Sequence, residues 1–493
     1  MLILLLIFWP LLATFVFFAI KPQEAKSWAL TASLIELVIS LVMVILFDST
    51  GAAQFVINVP WIESLGINFY MGLDGISLLL VLLTTALTPL IILSSFKQNF
   101  ENTLSFYGLV LIMEMALIGV FCSLDGFLFY IFWEMALIPI YFICLRWGGV
   151  NRGPVTLKFF IYTLAGSLIM LVGLIYLYFQ TPGQHTFNIE ALYAAGQSLP
   201  AYQQGIVFWA LFVAFAVKMP VFPFHTWQPD TYNTAPSPGT MLLSGIMLKM
   251  GVYGVIRWLI PVVPEGVERW GTTALTLSVI GIVYASLLAL IQKDLKRLIA
   301  YSSIAHVGLI AAGIFTMNKI GLQGAMVQMI SHGFVVVGLF YMIDIIIART
   351  ATQEIASLGG IRTSAPVFNS VFIVIVLGSI ALPLTSGFVG EFLLINAVFQ
   401  YNFVSGTFAA LTMILGAFYM LRSFQMTMLG ESNPVTKGFK DLDRQEKWVL
   451  FPIVIMVILI GIYPAPLLKI SEAAVDNLLS IVSNYQAGVR VGN

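Results

Sequence analysis

Apolar runs of about 20 residues follow one another along almost the whole chain, and a helix of that length can cross the ~30 Å hydrocarbon core of a membrane. The composition agrees, because 59% of the 493 residues are hydrophobic and only 9% are charged. We therefore predict an all-α polytopic membrane protein with about 14 transmembrane helices. The predicted spans lie near residues 1–20, 28–48, 75–95, 105–123, 126–145, 157–179, 205–225, 240–260, 272–291, 301–317, 323–348, 367–398, 404–428 and 449–468.

The basic residues give these spans an orientation. Most of the 23 lysines and arginines fall on one side of the predicted spans, and the positive-inside rule places that side in the cytoplasm. Both chain ends are then expected on the outer side, with an even number of crossings between them. The first span lacks a basic start and a small-residue cleavage site, so we expect it to remain as an anchor.

Charge and cysteine content narrow the classes of function. The formal net charge is zero, and no loop carries a long run of like charge, which argues against binding of nucleic acid. The two cysteines, Cys122 and Cys144, are too few for an iron–sulfur cluster, which needs about four thiolates. We therefore expect no redox centre and no bound cofactor in this chain.

Six ionisable residues interrupt the apolar spans. Each costs about 2.5–3.5 kcal/mol at the centre of a membrane helix, so such residues are retained mainly where they function. Because both signs of charge occur, the pattern predicts a buried pathway for ions or protons. The six residues are Glu36, Glu114, Glu134, Lys218, Lys249 and Glu391.

Two of the spans contain sequences that break a helix. In AVKMPVFPFHTW, Pro220 and Pro223 follow Lys218 and each removes a backbone donor. In ALPLTSGFVGEF, a similar break precedes Glu391. A broken helix inside a membrane survives only where protein or water satisfies the freed backbone groups. Two such breaks in comparable positions are typical of a transporter built from a repeated unit, although single proline kinks are the alternative.

Glu134 and Lys218 are candidates for an interacting pair. Glu134 is surrounded by apolar and aromatic residues on every face of its helix, and Lys218 lies in a neighbouring span. At about 4 Å and an effective dielectric constant of about 20, their attraction amounts to about 4 kcal/mol. Lys249 has no acid within a turn, and we expect it to take up a proton and pass it on. The alternative is that these charges only hold helices together.

Two histidines, His306 and His332, lie inside apolar spans beside serines. Histidine changes charge near neutral pH, which suits a proton relay. Two alternatives remain open: each ring is satisfied by neighbouring hydroxyl or carbonyl groups, or the pair holds a haem. The buried acids and lysines nearby favour the relay.

Several stretches together resemble one family. They are FLFYIFWEMALIPIYF, HTWQPDTYNTAPSPGTMLLSGIMLKMGVYG, QKDLKRLIAYSSIAHVG and SGFVGEF, and they are similar to the antiporter-like membrane subunits of respiratory complex I. The resemblance implies fourteen helices in two inverted five-helix repeats, with the seventh and twelfth helices broken. It divides the chain into helices 1–3 (residues 1–100), a first repeat (101–262), a second repeat (263–430) and a cytoplasmic linker with the last helix (431–493).

The resemblance also implies roles for residues. Glu134 matches the family's essential glutamate, Lys218 its partner lysine and Lys249 the central lysine. His306 and His332 match the relay, and Glu391 matches the exit residue. The loop HTWQPDTYNTAPSPGT departs from the family's common wording, in which a leucine follows the tryptophan and a histidine comes later, so the contacts of this loop are in doubt.

The implied function is proton translocation coupled to quinone reduction in an NADH-quinone oxidoreductase. NAD, FMN, iron–sulfur clusters and quinone are then expected in partner subunits, and two further antiporter-like chains are expected as neighbours in the membrane arm. The implied location is a bacterial inner membrane. A sodium/proton antiporter subunit is one alternative, which Glu391 opposes because related subunits usually have lysine there. A hydrogenase-linked or formate-linked relative is another. An intramembrane enzyme or cytochrome lacks support, since HExxH spacing is absent.

Overall fold

The computed structural model describes residues 1–492, with side chains up to residue 488. Helices make up most of it, and 12 of them are long and apolar enough to cross a membrane, while two further apolar helices are shorter. The predicted polytopic helical membrane fold is therefore confirmed, whereas the exact number of crossings and the inverted repeats stay predictions. The helices are α1 (Leu2–Phe15), α2 (Ala25–Leu46), α3 (Gly75–Ser94), α4 (Thr103–Cys122), α5 (Gly126–Trp147), α6 (Arg152–Gln180), α7 (Ile189–Gln197), α8 (Ala201–Lys218), α9 (Gln228–Thr234), α10 (Ser237–Leu242), α11 (Leu248–Gly254), α12 (Pro264–Leu290), α13 (Leu295–Ile314), α14 (Lys319–Thr350), α15 (Ile361–Ser364), α16 (Pro366–Ser379), α17 (Ser386–Tyr401), α18 (Phe403–Met428), α19 (Arg444–Ile462) and α20 (Ala465–Gly492).

The helices differ in how much of their surface other helices cover. In the continuous helical segment Ser237–Leu259, every residue of the most apolar stretch is buried, and in α13 and α14 the buried share is 89%. In α18 and α19 it is only 33%. A helix that is apolar on all sides and fully covered lies in the core. The segment with Lys249 and the two helices with the histidines therefore form the centre of the molecule.

A β-hairpin lies between α2 and α3, in the stretch that separates the second predicted span from the third. Strands β1 (Gln54–Ile62) and β2 (Ile67–Leu73) pair antiparallel. The hairpin turns at Gly66, whose φ of 59° favours glycine. The Leu124 backbone N–H donates to the Tyr70 carbonyl at 2.9 Å, which joins β2 to the connection between α4 and α5. This short hairpin is an addition to the predicted helical fold, and its strands are held partly by groups distant in sequence.

A long amphipathic helix, α20, follows the last predicted span and was not predicted. Its second turn passes close to Gly75 at the start of α3, where an added Cβ would meet the backbone of Ile470. Lys319, at the start of α14, pairs with Glu472 and Asp476 at 2.8 Å each. Since α20 contacts α3, α12 and α14, it connects the N-terminal helices with the second half of the chain.

The opposite ends of α3 and α14 are joined through the start of α19. Glu446 is buried there and accepts from Lys97 at 2.8 Å and from Arg349 at 2.5 Å. Glu446 and Asp443 also form a capping box at the first turn of α19, which satisfies helix N–H groups that have no partner inside the helix. This cluster fixes the last apolar helix against the central ones.

Candidate functional site

The first break in a span separates α8 from α9. Helix α8 ends at Lys218, and residues 219–227 form turns before α9 begins. The Trp227 indole N–H donates to the Val217 carbonyl at 2.9 Å, so a side chain replaces part of the backbone bonding that the break removes. The end of a helix carries partial negative charge. A lysine at this position is therefore stabilised by the helix that presents it.

Lys218 and Glu134 do not form the direct pair that the sequence suggested. No ion pair within 4.0 Å joins them, although they interact electrostatically. The Lys218 Nζ lies 5.4 Å from the centre of the Trp133 ring, in a cation–π contact. The Glu134 Oε1 is buried and has no protein hydrogen-bond partner. Lys218 therefore contacts Trp133, the residue next to Glu134, rather than the carboxylate itself.

Lys249 lies just after a π-helical turn, Leu243–Met247. A π turn takes in an extra residue, and such turns occur frequently at functional sites. Here it brings Lys249 over a residue five positions earlier, and the Lys249 Nζ donates to the Ser244 carbonyl at 2.9 Å. In a regular α-helix, residues five apart do not share a face. The π turn therefore sets the direction of the Lys249 side chain.

Glycines let the segment with Lys249 approach the broken end of α8. An added Cβ on Gly251 would lie 2.6 Å from the Phe215 carbonyl oxygen and 2.8 Å from the Met219 backbone nitrogen. No side chain fits in that space. The backbone of α11 consequently packs directly on the residues that flank Lys218.

Lys249 contacts the second half of the chain through His332 on α14. The Lys249 Nζ lies 3.0 Å from the His332 Nδ1. On the other side of the ring, the His332 Nε2 lies 3.0 Å from the Ser303 Oγ on α13. Lysine donates, so the Nδ1 accepts while this contact is formed. Both ring nitrogens are occupied, which leaves neither free to bind a haem iron and counts against that alternative.

His306 and Glu391 form a second contact in the same half. The His306 Nδ1 lies 2.8 Å from the Glu391 Oε1, although the approach does not meet hydrogen-bond angles. Glu391 accepts from the Gln328 Nε2 at 3.1 Å. Gly390 permits this approach, because an added Cβ there would lie 2.8 Å from the Gln328 Cα. All three polar residues are buried.

The second break lies next to this contact. Helix α16 ends at Ser379 and α17 begins at Ser386, one and a half turns before Glu391. Ser331 on α14 bonds to Ser386 at 2.7 Å. Both predicted breaks are therefore present. As with Lys218, an ionisable side chain lies close to the broken backbone.

The resemblance assigned roles in proton transfer to six residues, and the structure brings four of them into two contacts. These contacts are Lys249 with His332 and His306 with Glu391. The rings of His306 and His332 are 6.0 Å apart between centroids. Lys218 and Glu134 form a separate group near the end of α8, against which α11 packs. The sequence placed hydroxyl groups beside the histidines, and Ser303 on α13 contacts His332 on α14. It did not identify Ser244 or Gln328 as partners, and Gln328 lies on a different helix from Glu391.

Glu36 and Glu114 lie outside these groups. Both are buried, they interact electrostatically, and none of their carboxyl oxygens has a protein hydrogen-bond partner. Within the part of the chain that the structure describes, no group of three or more His, Cys, Asp or Glu residues could hold a metal ion. The arrangement places side chains that can bind and release protons next to one another in the core.

Comparison with known proteins gives a consistent family. The family described as NADH:quinone oxidoreductase/Mrp antiporter, TM matches residues 123–418, which is more than half of the chain. NADH-quinone oxidoreductase subunit M of Rickettsia conorii is 41% identical over 461 residues, covering 93% of both chains. NADH-ubiquinone oxidoreductase chain 4 of Marchantia polymorpha is 38% identical over 481 residues, covering 96% of both.

Solved structures share the fold. A chain of respiratory complex I from Thermus thermophilus superimposes with a TM-score of 0.89 at 28% identity, covering 98% of this chain and 99% of that one. A chain of the Mrp complex from Dietzia sp. DQ12-45-1b gives a TM-score of 0.86 at 20% identity, covering 99% and 98%. The second likeness concerns the fold alone.

Proposed function

The chain belongs to the NADH-quinone oxidoreductase subunit M family, and we propose that it carries protons across the membrane for that enzyme complex. The single observation that supports this best is the pair of buried contacts at the centre, Lys249 with His332 and His306 with Glu391. Buried ionisable groups inside membrane helices are costly and typically serve transport. The contacts also lie in the order Lys249, His332, His306 and Glu391, which is the order in which the proposed relay passes the proton.

In the proposed mechanism, Glu134 and Lys218 receive the driving signal. They lie more than 4.0 Å apart in this structure, and their attraction would rise to about 4 kcal/mol if the side chains moved to about 4 Å from each other. Moving one charge against 100 mV costs about 2.3 kcal/mol, so closing and opening this gap can supply the required energy. Quinone reduction elsewhere in the complex acts on this pair through a coupling free energy between the two sites.

The proton then moves through the second half of the chain. Lys249 receives it from the Lys218 side and donates to the His332 Nδ1. A movement of the rings or an internal water carries it across the 6.0 Å between the two imidazoles. His306 passes it to Glu391, from which it leaves on the outer side. Each transfer moves one proton between a donor and an acceptor and breaks no other bond.

The assembly follows from the same proposal. We assign residues 1–100 to three accessory helices, 101–262 and 263–430 to two inverted repeats, and 431–493 to the closing segment, of which 431–443 is a cytoplasmic linker. Two further antiporter-like subunits flank the chain in the membrane arm. The redox arm carries NAD, FMN, iron–sulfur clusters and quinone, none of them held by this chain. The complex lies in the bacterial inner membrane with both ends of this chain outside.

Substitution of Glu134 tests the proposal. In inverted membrane vesicles with matched amounts of assembled complex, we expect Glu134→Ala to abolish NADH-driven acidification and to lower NADH-quinone turnover with it. The reason is that Lys218 loses the charge that controls its proton. Acidification is measured with a fluorescent pH probe, and turnover by NADH absorbance.

The control is Glu431→Ala, since Glu431 is exposed and distant from the relay in sequence. It should pump like the unmodified chain. Unchanged acidification in Glu134→Ala would overturn the proposal. If sodium-dependent proton exchange disappeared instead, a monovalent cation/proton antiporter subunit, the second candidate because it shares the fold, would replace it. A subunit of a membrane-bound hydrogenase would differ only in its partner subunits. That alternative would be favoured if vesicles with the unmodified chain and vesicles with Glu431→Ala both lacked NADH-driven acidification.

A further inference from the structure

Arg257 and Asp74 form a largely buried ion pair that the proposed relay does not use. Arg257 belongs to the π turn Val255–Leu259, about two turns beyond Lys249 on the same helical segment. Its partner Asp74 lies at the start of α3, and the two side chains are only 18% and 7% exposed. In the predicted orientation both lie near the outer side. Charged residues inside membrane segments are costly and mark functional positions.

Tyr253 lies between Lys249 and Arg257. Lys249 and Tyr253 are four residues apart in α11 and share one face of the helix. The Arg257 Cζ lies 5.8 Å from the centre of the Tyr253 ring, in a cation–π contact. The Tyr253 hydroxyl donates to the Phe121 carbonyl at 3.1 Å and lies 3.3 Å from the Ser77 Oγ. Three side chains therefore follow one another from the central lysine towards the outer side.

A cavity of about 190 Å³ approaches Arg257 from the outer side. Its lining includes Ser77 and Arg257 and two exposed residues, Glu190 and Asn477. The exposed residues connect the cavity with the surface, so water can reach the arginine from that side. Lys249, in contrast, has no exposed surface. Arg257 thus lies between water on the outer side and the lysine in the core.

We propose that Arg257 determines the direction of proton release, because it prevents a proton held by Lys249 from leaving on the outer side of the first half of the chain. A fixed arginine charge in a narrow passage is an electrostatic barrier to protons. With this direct exit closed, the contact with the His332 Nδ1 at 3.0 Å is the way onward. Transfer into the second half then follows from a charge in the first.

Asp74 and Tyr193 hold the arginine in position. The Asp74 carboxylate that pairs with it also accepts from the backbone N–H groups of Ile76 and Ser77, at 3.1 Å and 3.0 Å. The Tyr193 hydroxyl donates to the Arg257 carbonyl at 2.8 Å. These bonds keep the guanidinium next to Tyr253 rather than free to turn towards water. The alternative is that the ion pair only joins α3 to this segment.

Passive proton flux through the assembled complex tests the inference, which rests on the proposed function because it requires a proton on Lys249. The purified complex is placed in liposomes without NADH. A potassium gradient with valinomycin imposes a membrane potential, and an internal fluorescent pH probe reports proton entry. We expect Arg257→Gln to raise the flux several-fold at equal amounts of complex. Glutamine still donates to Asp74, so assembly should be preserved. The same rise is expected when Asp74→Asn is added, a combination that leaves no buried charge unpaired.

Two further variants test whether the arginine acts by its charge and through the central lysine. Arg257→Lys keeps a positive charge and should keep the flux low. Lys249→Met removes the proton-carrying group with little change of volume, so adding it to Arg257→Gln should return the flux to the low value. A general loosening of the packing would not be corrected by a second substitution.

Arg269→Ala is the matched control. Arg269 is also an arginine on the predicted outer side, and its Cζ lies 5.5 Å from the centre of the Trp270 ring. It is exposed and belongs to α12, away from the segment that carries Lys249. Its loss should leave the passive flux unchanged.

The outcomes separate the two proposals. High flux in Arg257→Gln that is absent in Arg257→Lys and removed by Lys249→Met would support the inference. Flux equal to that of the unmodified complex in Arg257→Gln would overturn it and leave the ion pair as a structural link. High flux that persists after Lys249→Met would also overturn it, since the protons would then bypass the lysine. These measurements use no NADH, so a loss of pumping in Glu134→Ala would leave the proposed function standing in either case.

Discussion

At the scale of single residues, Lys249 and Glu391 are buried beside groups that are neutral or can become neutral. Lys249 contacts a histidine and a carbonyl rather than a carboxylate. Glu391 contacts a histidine and an amide rather than a lysine. In a buried pair of lysine and carboxylate, each charge stabilises the other, so the lysine would keep its proton and the carboxylate would not take one up. Partners that can be neutral allow a proton to arrive and leave.

Glu391→Gln tests this at the exit. Glutamine keeps an oxygen that can accept from Gln328 but cannot carry a proton, so assembly should be preserved. We expect the rate of proton release to fall by roughly 10²-fold, the low end of what a positioned acid or base contributes. Glu391→Asp retains the acid and should lose less. NADH-driven acidification at matched assembly measures both, and equal rates in the glutamine variant and the unmodified chain would contradict the role of Glu391.

The sequence identified these residues but not their pairing. An ionisable side chain in an apolar span is visible in one chain, because its cost does not depend on its neighbours. The contact between Lys249 and His332 joins positions 83 apart, and no local pattern encodes it. The sequence suggested a direct pair of Glu134 and Lys218, but their charged groups lie more than 4.0 Å apart, with Lys218 over the ring of Trp133. The packing of the two helices sets this distance, and one sequence does not show it.

At the scale of elements, close packing of α11 on the end of α8 holds the two lysines in fixed relation. We expect Gly251→Ala to cost about 1–3 kcal/mol, as overpacking of a core does, because the added methyl group meets backbone atoms rather than flexible side chains. Pumping should fall as well, since the segment with Lys249 must move away from Lys218. Thermal unfolding of the purified complex and vesicle acidification measure the two effects.

Gly271→Ala is the matched comparison on α12. Its added Cβ would lie 3.7 Å from the nearest side-chain atoms, which is ordinary contact. Alanine favours a helix over glycine by up to about 1 kcal/mol, so this variant should be neutral or more stable. If both alanine variants unfolded at the temperature of the unmodified complex, the packing argument for Gly251 would be wrong.

Prediction of elements succeeded where the signal is contained in one segment. Long apolar runs give membrane helices, and Pro220 and Pro223 identify the first break. The hairpin of β1 and β2 was missed because part of its bonding comes from residues distant in sequence. Tyr70 on β2, for example, accepts from Leu124 in the connection between α4 and α5. Helix α20 was missed because its amphipathic pattern has a low mean hydropathy and resembles a polar tail. The π turn before Lys249 was also missed.

At the scale of the whole molecule, the predicted orientation gives opposite faces to two exposed sites. Lys440 lies in the loop before α19, and Asn477 lies on α20. The native cysteines, Cys122 and Cys144, are buried and unpaired, so a new cysteine is the only one expected to react with a membrane-impermeant maleimide. We expect Lys440→Cys to be labelled only in inverted vesicles and Asn477→Cys only in right-side-out vesicles.

Labelling of both variants from one side would contradict the positive-inside assignment, and a reversed pattern would place both chain ends in the cytoplasm. The unmodified chain serves as the blank. Activity of the two variants should be normal, because both positions are exposed and lie outside the relay.

The 6.0 Å separation between the rings of His306 and His332 has a consequence for energy conservation. A closed file of hydrogen bonds from one face to the other would act as a short circuit and return protons down their gradient, dissipating about 2.3 kcal/mol per charge for each 100 mV. In the proposed relay, this separation is instead an insulating step between two conducting halves. On that proposal, charge crosses only while the step is bridged, so a membrane containing this protein stays energised when the enzyme is idle.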